Sequence, residues 1–221
     1  MADVVPGVDG PVRDLPEKQV RAVRAAYFGL LSEIDHQLGR VFSYLDDEGL
    51  WDDTLIVFTS DHGEHLGDHH LFGKPTYFDE SFRVPLIIRA PGDEAGGTRG
   101  DVVDEFTEAI DVMPTVLEWM GADIPRTCDG ASLMPFVTKA GDTEARDAAH
   151  CEYDFRDTAT TSIASDLGVN NDEANFCAIR GSRYKYVHFA ALSPLLLDVV
   201  EDPHPVHRHL APPRSLSPRQ P

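Results

Sequence analysis

The sequence predicts an α/β fold: a mainly parallel sheet flanked by helices, followed by a small C-terminal antiparallel sheet. Three observations carry this. Residues 20–45 repeat apolar side chains at helical spacing. Two short runs, 54–60 and 84–89, are β-branched, aromatic and continuous, as in strands buried on both faces. Near the end, two alternating runs are joined by Gly181-Ser182-Arg183, the signature of a hairpin.

In chain order, residues 1–13 contain glycine and proline and are expected to be irregular. Asp14 is placed to cap a helix with Pro16 in its first turn and Glu17 three residues after the cap. Apolar residues then recur at Val20, Val23, Tyr27, Leu30, Leu31, Ile34, Leu38, Val41, Phe42 and Leu45. Steps of three and four give one stripe on a long helix, and packing against a sheet accounts for it more simply than a coiled coil. Gly49 ends the helix. In the strand 84–89, Pro85 lies near the start, where a missing amide costs the ladder least. A polar loop, 93–100, and a short strand at 103–106 precede a helix over 111–119. That helix has Pro114 in an early turn and Val112, Met113, Val116, Leu117 and Met120 as expected core. Residues 121–140 are loop-rich, with a short helix at 132–137. Strands at 148–153, 176–180 and 184–189 supply the second sheet, and the polar connection 154–175 is expected to be mobile. The division is an N-terminus of 1–13, an α/β unit of 14–140, an antiparallel subdomain of 141–202 and a tail of 203–221.

Charge and size exclude several function classes. The 221 residues suffice to bury a core. A net charge of −19 argues against binding nucleic acid or an anionic membrane surface. No apolar run spans a bilayer, and the start lacks a basic-then-apolar leader, so a cytoplasmic location is expected. Cys128, Cys151 and Cys177 are an odd, widely spaced set, read as small buried hydrophobes rather than disulfides or a zinc cluster. All 38 acidic residues precede Pro203, whereas the last nineteen residues hold six prolines, three histidines and three arginines. This tail is expected to be disordered, an aberrant or frame-shifted extension.

The chemistry gathers where the first strand stops. Asp61 and His62 follow it directly, at the strand end where open sheets place their ligands. Carboxylate and imidazole together suit a divalent cation. The same pair also reads as a capped turn with a solvated histidine. Lys74, thirteen residues on and flanked by glycine and proline, adds an anion partner and tips the balance.

The span DHGEHLGDHHLFGKPTYFDESFRVPLIIRAPG, residues 61–92, resembles the second signature region of sulfatases in the alkaline phosphatase superfamily, nearest the phosphonate monoester hydrolase and arylsulfatase branch. IDVMPTVLEWMG, residues 110–121, follows in the family's usual order. The resemblance implies a partial alkaline-phosphatase-like sandwich. It implies Asp61 and His62 as ligands of one divalent cation (calcium, magnesium or manganese) and Lys74 as the contact for the substrate oxyanion. His69 falls on a recurrent family histidine. Glu64, His69 and His70 are candidates to orient the ligands from behind, whereas His65 is expected in solvent.

The same resemblance exposes a gap. The family's nucleophile is a formylglycine made from cysteine in a Cys-x-Pro/Ser-x-Arg motif. Cys128 is followed by Asp-Gly-Ala-Ser, Cys151 by Glu-Tyr-Asp-Phe and Cys177 by Ala-Ile-Arg-Gly, so no residue here is a nucleophile candidate. The family's early aspartate pair is missing as well. The reading is therefore a C-terminal portion of a hydrolase of small sulfate or phosphonate esters, inactive alone, whose partner is a missing N-terminal half or a second copy. The alternatives are a non-catalytic metal-binding remnant or subunit, or another phosphoesterase of the superfamily.

Overall fold

A computed structural model describes residues 15–74, 76–92, 95–139, 146–155 and 168–203. Asp14, the N-terminus 1–13, most of the connection 154–175 and the tail beyond Pro203 lie outside the described residues.

Helix α1, Glu17–Asp47, starts after Pro16, which makes no side-chain cap; Glu17 occupies the first turn, where helix amides favour a negative charge. Only Val20 and Leu45 of its stripe are buried. Leu30 is 66% exposed, and Ile34 and Val41 stand about as open. The packing of this stripe on a sheet is not formed among the described residues.

Strand β1, Ile56–Thr59, pairs with β2, Leu86–Arg89, in register Ile56↔Arg89 to Thr59↔Leu86. The pairing is antiparallel, where a mainly parallel sheet was expected. Between the strands the described chain makes turns, one turn of 3-10 helix at Asp68–His70 and the single-turn helix α2, Asp79–Phe82. That connection reverses direction instead of crossing over a sheet face, as a parallel pair requires. Both strands are half-buried, not enclosed, and Ile87 faces out. The Arg89 guanidinium donates to the carbonyls of Trp51 and Thr54 and lies over the Trp51 ring, tying β2 to the segment before β1.

The expected strand at 103–106 reduces to an isolated bridge, Phe106 to Arg146. Helix α3, Val112–Trp119, forms as predicted, but Met113 and Met120 are exposed and Pro114 and Thr115 are buried. The anchor is polar. Asp111, fully buried, accepts from the Arg146 guanidinium and from the amides of Glu108 and Ala131. Desolvation pushes its carboxyl pKa up, and these donors outweigh that and hold it below the usual value. Thr115 donates to the Asp111 carbonyl and accepts from the amide of Leu133, ahead of helix α4, Met134–Thr138.

The C-terminal sheet is an antiparallel meander of β3 (Ala148–Asp154), β4 (Asn175–Gly181), β5 (Tyr184–Phe189) and β6 (Leu195–Asp198). Strand β6 goes beyond the three strands predicted. Period-two alternation turns Phe176, Ala178 and Val187 inward, where they meet Leu197 of β6. Tyr77 and Phe78, immediately before α2, complete this core. Lys185, 2% exposed, reaches the Asp79 carboxylate at 2.8 Å, and Arg180 reaches the same group. Cys151 packs against the core, and burial pushes its thiol up to about 11. Cys177 is exposed, contrary to the buried role expected of it. No helix among the described residues is long and apolar enough to cross a membrane.

Candidate metal centre

The end of β1 sets the first two groups. Ser60 Oγ donates to the His62 carbonyl at 2.8 Å, and the His62 amide donates to Asp61 Oδ1 at 3.0 Å. This turn holds the carboxylate beside the imidazole, with Asp61 Oδ2 3.5 Å from His62 Nε2. His62 Nδ1 lies 2.8 Å from the Gly63 carbonyl. A carbonyl only accepts, so Nδ1 carries a proton, and Nε2 is the ring nitrogen left beside Asp61. A backbone partner on Nδ1 orients the ring so that Nε2 is the nitrogen placed to ligate a metal. Both side chains are open, at 37% for His62 and 83% for Asp61.

Gly63 allows the turn to pack. A Cβ there would stand 1.9 Å from the Glu80 carbonyl oxygen, so a side chain would push α2 away. Its amide donates to the Ser81 carbonyl at 2.8 Å.

From Gly63 the chain loops out and returns to Lys74. Glu64 accepts from the amides of Leu66 and Gly73, and the His65 amide donates to the Gly73 carbonyl, closing the loop at its neck. Leu66, His69 and His70 all take left-handed φ near +50 to +60°, a conformation that costs each of them and that surrounding contacts must impose. Arg24 of α1 supplies one such contact, donating to the Leu66 carbonyl and pairing with Asp68 at 2.9 Å. Lys74 is half-buried, and its ammonium makes no ion pair or hydrogen bond among the described residues. A cation without a counter-charge among the described residues is available to an anion.

The groups expected behind the ligands divide. Glu64 braces the loop backbone. His70 is exposed, and its ring makes no hydrogen bond among the described residues. His69 stacks on Phe78 at 3.8 Å between ring centres, with Nε2 3.2 Å from Glu80 Oε1. His65, expected in solvent, is fully buried. Its Nε2 meets the hydroxyls of Thr76 at 2.7 Å and Ser81 at 3.1 Å, partners eleven and sixteen residues away whose convergence no local pattern announces. Burial pushes its imidazole pKa below the ordinary 6.5, so the ring is neutral. Glu80, absent from the sequence-based candidates, is brought beside both histidines by α2.

Chemically, Asp61 and His62 offer one hard oxygen and one imidazole nitrogen, a fitting donor pair for a divalent cation. Two protein ligands are fewer than the three or more that hold such ions firmly.

Comparisons with known proteins bear on this arrangement. The Sulfatase family matches residues 9–122, and the N-sulphoglucosamine sulphohydrolase C-terminal family matches residues 67–215. The multifunctional alkaline phosphatase superfamily protein PehA of Trinickia caryophylli is 50% identical over 90% of this chain and 38% of its own length. Two solved structures share the fold. The phosphonate monoester hydrolase of Agrobacterium radiobacter has a TM-score of 0.81 at 43% identity, over 88% of this chain and 38% of that one. The phosphonate monoester hydrolase of Silicibacter pomeroyi has a TM-score of 0.78 at 38% identity, over 88% and 42%. The chain thus spans about two fifths of the length of these relatives. It belongs to the sulfatase family of the alkaline phosphatase superfamily, on the branch that includes the phosphonate monoester hydrolases.

Proposed function

We propose that this chain carries part of a metal-dependent site that hydrolyses sulfate or phosphonate monoesters. Asp61 and His62 would hold one divalent cation (calcium, magnesium or manganese), and Lys74 would contact the non-bridging oxygens of the ester. The observation that carries the reading is the orientation of the His62 ring, held at Nδ1 by the Gly63 carbonyl so that Nε2 lies beside Asp61 Oδ2. The ammonium of Lys74, without an ion pair among the described residues, supports it. When bound, the cation supplies Lewis acidity toward the ester oxygens. Asp61 contributes a carboxylate oxygen toward the cation. Lys74 offers a point charge where negative charge accumulates on a tetrahedral centre, and the Glu64 bonds keep its loop in place.

The nucleophile would come from outside these 221 residues, since no cysteine here sits in a formylglycine motif. The open stripe of α1 fits the same reading, as a face for the remainder of the α/β unit to cover. The missing nucleophile also favours a second reading, a remnant or subunit that binds metal without catalysis.

Hydrolysis of an aryl sulfate and an aryl phosphonate monoester, with manganese or calcium added, tests the proposal. The chain alone should show no turnover above buffer. A version extended at its N-terminus with the nucleophile-bearing portion of a relative should turn over, and Asp61→Ala or Lys74→Ala should abolish that activity. Robust activity of the chain alone that Asp61→Ala removes would overturn the account of the missing half. Activity of the extended protein indifferent to Asp61→Ala would overturn the assignment of the site.

A further inference from the structure

Behind the loop, apart from Asp61 and His62, three potential ligands converge. A ring nitrogen of His65, a ring nitrogen of His69 and a carboxylate oxygen of Glu80 all lie within 4.8 Å of one another. The cluster is nearly closed: His65 is fully buried, and the side chains of His69 and Glu80 are 6% and 17% exposed.

His65 supplies an independent observation. Its Nδ1 is buried and makes no hydrogen bond among the described residues, while Nε2 is engaged by the Thr76 and Ser81 hydroxyls. With the proton on Nε2, Nδ1 is a bare lone pair in the interior. With the proton on Nδ1, a buried N–H lacks an acceptor. Either orphan is unfavourable in the interior. A cation satisfies the first of these, in the arrangement where a ligating histidine is oriented through its other nitrogen.

We propose that His65, His69 and Glu80 form a second, structural metal site that takes a first-row transition cation of the zinc class. Two imidazoles and a carboxylate are a donor set zinc accepts with one position left over, and they suit it better than calcium or magnesium, which favour all-oxygen shells. Ligands about 2.0–2.1 Å from a tetrahedral zinc lie roughly 3.3 Å apart. The 3.2 Å between His69 Nε2 and Glu80 Oε1 already matches one such edge. His65 must close the remainder from a separation of no more than 4.8 Å. The neutral state of His65 leaves it ready to ligate, and the carboxylates of Glu80, Glu64 and Asp68 all act on it with the sign that favours a cation. The site would lock the loop between His62 and Lys74 onto α2, holding the left-handed turn at His69 in place.

Cobalt(II) and zinc(II) are the probes. In a chain carrying Asp61→Ala and His62→Ala, stripped with chelator, one equivalent of cobalt should bind with the intense ligand-field absorption of a low-coordinate nitrogen–oxygen site. Zinc should compete it away and raise the melting temperature. His69→Gln and Glu80→Gln, which nearly preserve shape, should each weaken binding by more than the roughly 10–100-fold that losing a supporting partner costs. Circular dichroism checks that both variants fold. Failure of zinc to raise the melting temperature of the Asp61→Ala, His62→Ala chain overturns the proposal, whether or not the other variants fold. Cobalt affinity indifferent to Glu80→Gln overturns it as well. Because Asp61 and His62 are absent throughout, neither result bears on the ester-hydrolysing site.

Discussion

Helix α1 and the segment 76–82 carry comparable densities of apolar residues but meet opposite fates. Along α1, Tyr27, Phe28, Leu30, Leu31, Ile34 and Val41 are all exposed. In the shorter segment, Tyr77 and Phe78 are buried and touch Phe176 and Phe189 or the rings of His65 and His69. The difference is the presence of a facing layer. The C-terminal meander brings its own inner face to residues 76–82, whereas among the described residues little beyond Val20, Leu45 and Phe42, which meets the Trp51 ring, finds cover along the stripe of α1. Apolar periodicity marks a surface that needs a partner and does not say that the partner is in the same chain.

The sharpest way to break this contrast is to cut into the closed side. Phe176, 3% exposed, sits among five aromatic rings. Phe176→Ala should cost about 3–5 kcal/mol in urea unfolding, enough to leave a domain of ordinary stability partly unfolded. A loss below about 1 kcal/mol would mean that the meander and the segment 76–82 are not one cooperative core.

The ionic tie between these two parts should cost somewhat less. Asp79→Ala strands the buried Lys185 ammonium, with an expected loss of about 2–3 kcal/mol, because Asp79 itself is partly solvated. This pair also gives a pH signature. Desolvation raises the Asp79 pKa, but Lys185 and Arg180 outweigh it and the net shift is downward from 3.8. A carboxyl whose folded value is depressed stabilises fully above its unfolded value, and that contribution fades as pH falls below 3.8 toward the folded value. Melting temperatures measured downward from pH 6 should drop in the parent and drop less steeply in Asp79→Ala. Equal slopes would remove Asp79 from the account.

On the open side the same chemistry should do little. Leu30→Ser should change stability by no more than about 0.5 kcal/mol, since Leu30 loses no packing. It should shift the chain toward monomer in analytical ultracentrifugation, because an exposed apolar stripe promotes association. A large destabilisation would show that α1 is packed in solution.

The smallest effect should come from Lys74→Ala, also within about 0.5 kcal/mol, because its ammonium has no partner to lose among the described residues. A larger loss would place Lys74 in a structural ion pair and count against its role toward an anion.

How far the candidate site was legible follows from which signals are local. The Asp61–His62 turn directly after β1 could be read from the sequence because a strand end and its first polar residues are contiguous. Lys74 was legible for the same reason, lying one loop away. The burial of His65 was not legible, because Thr76 and Ser81 reach it only after the chain has doubled back through α2. Nor was Asp111: an acidic residue opening a helix reads as a solvated cap until Arg146 arrives from 35 residues away.

The amino-acid order alone determined helices α1, α3 and α4, most strand positions, the hairpin across residues 181–183 and the family, since these depend on periods of two and 3.6 and on contiguous motifs. Only the tertiary structure decided that β1 and β2 run antiparallel, that α1 keeps its apolar face uncovered, and that His65, His69 and Glu80 meet. Those outcomes rest on contacts between distant segments. Burial and pairing at such contacts are set by what the fold brings opposite each residue, which no window along the chain contains.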